Sequence, residues 1–193
     1  MLSLSSLDEV LAPLLAFGLA AFRGAIPASA CDEICEQLLA SDAWQDLRFG
    51  EYRAGILSSL EESADVRALV NYSYEFPSDL ECELKEEAGA FATSAWNVDV
   101  PGRSRMTAGC LREGMALGSH RDSNYGDTPR LATVVAYVSD GYGGGDLVFP
   151  DLSARFSPSK GDVLIFFAEH IHLVEQVTSG ARYTGVFFLE TKT

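Results

Sequence analysis

Basic residues are scarce. The chain carries 14 Lys and Arg against 28 Asp and Glu, a net charge of −14. That balance speaks against nucleic acid as a direct partner, because binding a polyanion leans on clustered Lys and Arg. Cysteine is also sparse. Cys31, Cys35, Cys82 and Cys110 include no C-x-x-C pair, so they read as thiols in a reducing compartment rather than as a disulfide framework or a zinc site. No apolar run is long enough to cross a bilayer. The nearest, Leu11 to Phe22, falls short of the roughly 20 residues a spanning helix needs. No Lys or Arg precedes Arg23, while Asp8 and Glu9 stand where a secretory signal wants positive charge. Although Ala28-Ser29-Ala30 has the look of a cleavage site, the segment is read as a helix packing on the core. The expectation is a cytoplasmic protein with no membrane contact. Neither an internal repeat nor a low-complexity linker interrupts the 193 residues, so one domain is expected. The sequence leaves the oligomeric state open.

Hydrophobic residues make up 47% of the chain, enough for a real core. Residues 1–27 read as helical, with Pro27 as a stop. Ser29 to Asp32 has capping-box-like spacing and opens a helix with Ile34, Cys35, Leu38 and Leu39 on one stripe, ending near Ser41. Arg53 to Leu57 reads as a strand and Asp65 to Val70 as a helical turn. A second capping box, Ser78-Asp79-Leu80-Glu81, starts a helix that ends near Ala95. From about Val98 the period changes. Arg105–Leu111, Met115–His120, Leu131–Val138, Asp146–Phe149, Val163–Phe167, His172–Val177 and Arg182–Leu189 read as short strands between Gly, Pro, Asp and Ser turns. Many short strands with regular turns predict a sandwich or jelly roll. The division is a helical support region with some strands over 1–97 and a β core over 98–190.

Only three histidines occur: His120, His170 and His172. One lies in His120-Arg121-Asp122, and two form an H-x-H fifty residues on. On a strand, residues two apart point to one side, so His120 and Asp122 can share a face that a later histidine completes. Two imidazoles and one carboxylate, with positions left open, suit non-haem Fe(II) better than a structural zinc closed by four ligands. Arg182 begins a strongly apolar strand. A buried guanidinium must meet an anion, and its planar fork suits a carboxylate; an acid at a strand edge is the alternative partner. Thr184 shares its face and offers a hydroxyl.

These motifs together resemble the catalytic core of the Fe(II)/2-oxoglutarate-dependent dioxygenases, in the prolyl-4-hydroxylase-like branch. The residues that carry the likeness are His120-Arg121-Asp122, Arg130 to Thr133 with Tyr137, Gly144 to Phe149, Lys160 to Phe166, and His172 to Val177 followed by Arg182-Tyr183-Thr184. The resemblance spans about 98–190. It implies a double-stranded β-helix (jelly roll, cupin-like) core, mainly β, with N-terminal helices packed on one side. It implies that His120, Asp122 and His172 are the catalytic iron ligands, that His172 rather than His170 completes the set, and that Arg182, Thr184 and Tyr137 hold 2-oxoglutarate. A buried aromatic with a satisfied hydroxyl is the other reading of Tyr137. Many relatives carry a tyrosine about ten residues before the first ligand; this chain has Cys110 there. The cofactors implied are Fe(II), 2-oxoglutarate as co-substrate and O₂, with ascorbate as a candidate reductant. The activity implied is C–H hydroxylation coupled to conversion of 2-oxoglutarate to succinate and CO₂; the Asp122 carboxylate favours it over halogenation. The substrate expected is a small molecule such as an amino acid or cationic metabolite. The alternatives are a protein or peptide side chain, prolyl-hydroxylase fashion, or a non-catalytic jelly-roll binding protein. The loop Ser123 to Pro129, the Arg121 side chain and the region 50–76 are expected to form the mouth, with Arg121, Asn124 and His170 as candidate substrate contacts.

Overall fold

The computed structural model describes residues 2–47, 68–123 and 129–191. Among them run β1 (Leu19–Phe22), α1 (Ala28–Ala40), β2 (Gln45–Asp46), β3 (Leu69–Asn71), α2 (Ser78–Trp96), β4 (Gly102–Arg103), β5 (Thr107–Arg112) and β6 (Leu117–His120). There follow β7 (Arg130–Tyr137), β8 (Gly143–Gly144), β9 (Leu147–Phe149), β10 (Ala154–Phe156), β11 (Val163–Phe167), β12 (His172–Val174), β13 (Val177–Ser179) and β14 (Ala181–Glu190). Short 3₁₀ turns occupy Ala12–Phe17 and Pro150–Leu152.

The strands form a double-stranded β-helix. The large sheet has the order β1-β11-β7-β14-β5-β3-β2, with β4 on β14. The facing sheet has the order β10-β9-β12-β6, and β8 and β13 make a small hairpin. The large sheet is a middle layer with both faces covered, which is why its strands are apolar almost throughout. Val134 and Ala136 of β7, with Val163 and Ile165 of β11, join Ile34 and Leu38 of α1 and Leu84 and Ala88 of α2 in one core. The alternate residues Val135, Tyr137, Leu164 and Phe166 join Leu147, Phe149, Phe156 and Val174 of the facing sheet in the other. Strand periodicity of two thus builds two cores from one sheet, with the helices on one side of it.

Several expectations need correction. The N-terminal segment is not an α-helix. Its apolar run splits into a 3₁₀ turn and edge strand β1, which pairs antiparallel with β11 from Leu19↔Phe166 to Phe22↔Val163. A short continuous apolar run fits a buried strand as well as a helix. Gly18 decides the break: its φ is 78°, and a Cβ there would overlap the Phe167 ring. Pro27 does not stop a helix but is the N-cap of α1, the entry position that suits a residue without an N–H. Neither capping box forms: α2 starts after Pro77 with no side-chain cap. Glu81 instead accepts a hydrogen bond from the Met106 backbone N–H at 3.0 Å, tying α2 to the start of the β core. Leu69 and Val70 lie in β3, not in a helical turn. The expected strand Arg53 to Leu57 lies outside the described residues. β10 was not foreseen; its alternating Ala154-Arg155-Phe156 was readable as a strand.

Candidate metal centre

The two histidines meet because their strands pair. β12 runs antiparallel to β6 with His172 directly opposite His120. Directly opposed residues project to one face of a sheet, and the two ring centroids lie 4.2 Å apart. Each ring is oriented from behind. His120 Nδ1 lies 2.7 Å from the Gly118 carbonyl and His172 Nδ1 3.0 Å from the His170 carbonyl. A proton on Nδ1 satisfies these contacts and leaves each Nε2 lone pair facing forward, the arrangement of a metal-ligating histidine. Phe166 packs edge-on to His172 with centroids at 4.7 Å.

Asp122 joins them by a route other than strand parity. β6 ends at His120, so Asp122 lies beyond it in a bend. Its backbone N–H and that of Ser123 both donate to the Ala168 carbonyl, at 2.9 and 3.1 Å. This latch to the turn after β11 aims the carboxylate back between the rings, each oxygen 3.5 Å from one Nε2. Thr133 Oγ1, from β7, donates to Asp122 Oδ2 at 2.5 Å. One ligand atom from each of His120, Asp122 and His172 lies within 4.8 Å of the others.

The electrostatics suit a cation. Burial alone would raise the Asp122 pKa, but the two imidazoles and the Thr133 hydrogen bond outweigh it and hold the carboxyl well below the usual range. Burial brings His172 down to about 4 against the pull of Asp122. Burial also works against His120 charging, yet the contact with Asp122 raises its pKa. A carboxylate kept ionised beside a neutral, buried imidazole is a ready donor set. Two nitrogens and one oxygen on one side of a point, with a cavity on the other, fit non-haem Fe(II).

The cavity measures about 360 Å³ and is lined by all three residues together with Arg182 and Thr184. β14 lies between β5 and β7, with Arg182 opposite Leu111 and Thr184 between Gly109 and Tyr137. Arg182 is buried, at 5% exposure. Its Nε finds no hydrogen-bond partner among the described residues. A buried guanidinium that borders a cavity with an unsatisfied N–H is a built site for an anion. Tyr137 does not line the cavity. Its ring lies beneath the guanidinium, 4.9 Å from it, and burial pushes its pKa up to about 12 against the pull of Arg182. Cys110 borders the wall, but it belongs with Tyr183 to the helix-facing core. Its neighbour Leu111 is the residue that packs on the cavity side, beside Arg182.

Two of the three expected mouth residues point elsewhere. Arg121 is exposed and reaches the backbone carbonyl and the carboxylate of Glu169. His170 contacts Asp151 at 3.1 Å and the Phe17 carbonyl at 2.7 Å. Neither lines the cavity; Arg121 lies just past the end of β6 and His170 between β11 and β12. Asn124 lies outside the described residues. Sequence reasoning passed over Thr133, although it shares strand parity with Tyr137 on β7. Of the region 50–76 expected at the mouth, Leu69, Val70 and Tyr72 line the cavity because β3 pairs with β5.

Comparison with known proteins bears on the fold. No curated protein sequence matches significantly. The fold is similar to a Pseudomonas putida prolyl-4-hydroxylase (TM-score 0.71, 14% identity, covering 95% of this chain and 98% of that one). It is similar to the viral collagen prolyl hydroxylase of Paramecium bursaria Chlorella virus-1 in complex with 2-oxoglutarate (0.65, 16%, 91% and 96%). It is also similar to a Trichoplax adhaerens prolyl hydroxylase bound to a hypoxia-inducible-factor peptide fragment (0.64, 16%, 94% and 87%). Residues 106–190 match the model of the 2OG-Fe(II) oxygenase superfamily, and that stretch holds His120, Asp122, His172 and Arg182.

Proposed function

We propose that the chain hydroxylates an aliphatic C–H bond in a side chain of an extended peptide, with His120, Asp122 and His172 holding Fe(II) and Arg182 and Thr184 holding the far carboxylate of 2-oxoglutarate. One observation carries this reading: the three ligand atoms and the unsatisfied buried guanidinium face a single cavity. The bound Fe(II), with 2-oxoglutarate and O₂, supplies the oxidising power, and 2-oxoglutarate leaves as succinate and CO₂. The protein's own part is placement. Thr133 fixes one carboxylate oxygen of Asp122. The carbonyls of Gly118 and His170 fix the imidazoles. Arg182 orients the co-substrate by its distal end. The remaining wall, Leu69, Val70, Val186 and Phe188 among it, is apolar; it takes an aliphatic group and keeps water from the reacting bond.

Three of the similar folds are prolyl hydroxylases, one with a peptide bound, which supports a peptide over the free small molecule expected at first. Tyr72 supports it as well: it lines the cavity yet is 56% exposed, an aromatic set at the mouth where a chain would pass. The small-molecule reading keeps one point in its favour, a cavity at the lower end of the size of ordinary ligand pockets. The test is succinate formation with Fe(II) and 2-oxoglutarate over panels of peptides and of amino acids and metabolites, with product mass read for one added oxygen. Peptide-stimulated succinate with a modified peptide is the expected result. Stimulation by free metabolites alone would move the assignment to the second reading. Iron-independent turnover, or full turnover by Asp122→Ala with wild-type iron affinity, would sink the ligand assignment.

A further inference from the structure

Four buried side-chain polar atoms lack a hydrogen-bond partner among the described residues, and three of them cluster: Arg182 Nε, Tyr137 Oη and Tyr142 Oη. Groups of this kind are costly to leave without well-formed partners, so what matters is how these three meet one another. Tyr137 was singled out by its place in the sequence; Tyr142 was not. It comes from the glycine-rich turn Gly141 to Gly145, which folds back on Arg182. Gly145 makes the approach possible. Its φ is 72°, and a Cβ there would lie 3.1 Å from Arg182 Cδ, 3.2 Å from Val177 Cγ2 and 3.4 Å from Tyr142 Cε2. The β8–β13 pairing, Gly144 opposite Val177, holds the turn in place. Charge and hydrogen bonding from Arg182 act on the hydroxyls of both tyrosines, so the guanidinium is bracketed by two phenols, neither of which lines the cavity.

We propose that Tyr142 is a positioning residue for the co-substrate: with Tyr137 it holds the Arg182 guanidinium in the orientation in which it meets the anion. A phenol oxygen can accept from an arginine N–H, so a pair of phenols can hold the cation in place. This rests on the assignment of Arg182 to the far carboxylate of 2-oxoglutarate. Tyr142 is neither a metal ligand nor a cavity-lining residue, so its effect runs through Arg182 and belongs to co-substrate affinity.

The experiment compares wild type with Tyr142→Phe. 2-Oxoglutarate is titrated calorimetrically into each protein loaded with Mn(II), and KM and kcat are measured with Fe(II). The expected result is a weakening of 2-oxoglutarate binding of about fivefold or more, a matching rise in KM, an unchanged kcat and unchanged Mn(II) affinity. A second measurement needs no variant: adding 2-oxoglutarate to Mn(II)-loaded wild type produces a tyrosine ultraviolet difference spectrum. Binding by Tyr142→Phe within twofold of wild type overturns the role of Tyr142 while leaving the Arg182 assignment standing, and so does the absence of a tyrosine spectral change on binding. Failure of wild type itself to bind 2-oxoglutarate overturns the assignment on which the proposal rests.

Discussion

At the scale of single residues, the metal centre depends on contacts one step behind the ligands. Thr133 donates its hydroxyl proton to Asp122 at 2.5 Å and is itself buried. Thr133→Val keeps the shape and removes the bond. Mn(II) affinity should fall about tenfold or more, as when partners behind metal ligands are removed, while the fold persists; metal titration with circular dichroism checks both. Equal Mn(II) affinity would show that the latch to Ala168 suffices to aim the carboxylate. How much of this the residues announced is uneven. His120, His172 and Arg182 were legible because each is a costly group for the place it occupies: two of only three imidazoles, and a guanidinium in an apolar strand. Asp122 was legible for a reason the structure replaces, since it lies past the strand end and is aimed by backbone hydrogen bonds. Cys110 shows how one residue of parity matters: the side chain beside Arg182 is that of Leu111.

At the scale of elements, the misread N-terminal segment is fastened by charge as well as by the ladder of β1 on β11. Arg23 reaches Asp8 at 2.7 Å and Asp162 at 2.6 Å, and its guanidinium lies 4.4 Å from the Phe156 ring centre. Asp8 also accepts from the backbone N–H groups of Val10 and Leu11. Burial works to raise the Asp8 pKa, but Arg23 and the two backbone donors outweigh it and hold the value below the ordinary one. A depressed carboxylate stabilises the fold above its ordinary pKa of 3.8, and that contribution is lost as pH falls through the folded value. Asp8→Asn should therefore cost about 1 kcal/mol near neutral pH, modest because Arg23 is partly exposed and screened. The gap from wild type should close below about pH 4, as urea melts at the two pH values will show. A gap that persists in acid would assign the loss to packing. The segment was hard to read because Leu19 to Phe22 is buried on both faces, and a strand of that kind carries no alternation.

At the scale of the molecule, the helices, the large sheet and the facing sheet stack so that the site lies between the two sheets, close to the inner core. The jelly roll was foreseeable from many short strands between turns. The stacking was not, since it depends on pairings of distant segments such as β1 with β11 and β3 with β5. Because strands of both sheets and a bend contribute to one cavity, ligands there should stabilise the whole fold. Metal and 2-oxoglutarate together, with the last ligand at about a hundredfold over its Kd, should add about 2.7 kcal/mol and raise the melting temperature by roughly 5–10 °C. 2-Oxoglutarate without metal should add far less, and a chelator should reverse the gain; scanning fluorimetry reads all three. A full shift with 2-oxoglutarate in chelator would show that it binds without the metal centre. The Ala168 carbonyl, which takes the N–H groups of both Asp122 and Ser123, also has a bearing on how such a chain can drift over time. Between Ala168 and His172 the backbone measures out a fixed interval, like the spacer in a gauge. An added or deleted residue there would slide one imidazole away from the carboxylate it faces, so length changes in descendants should gather in other turns.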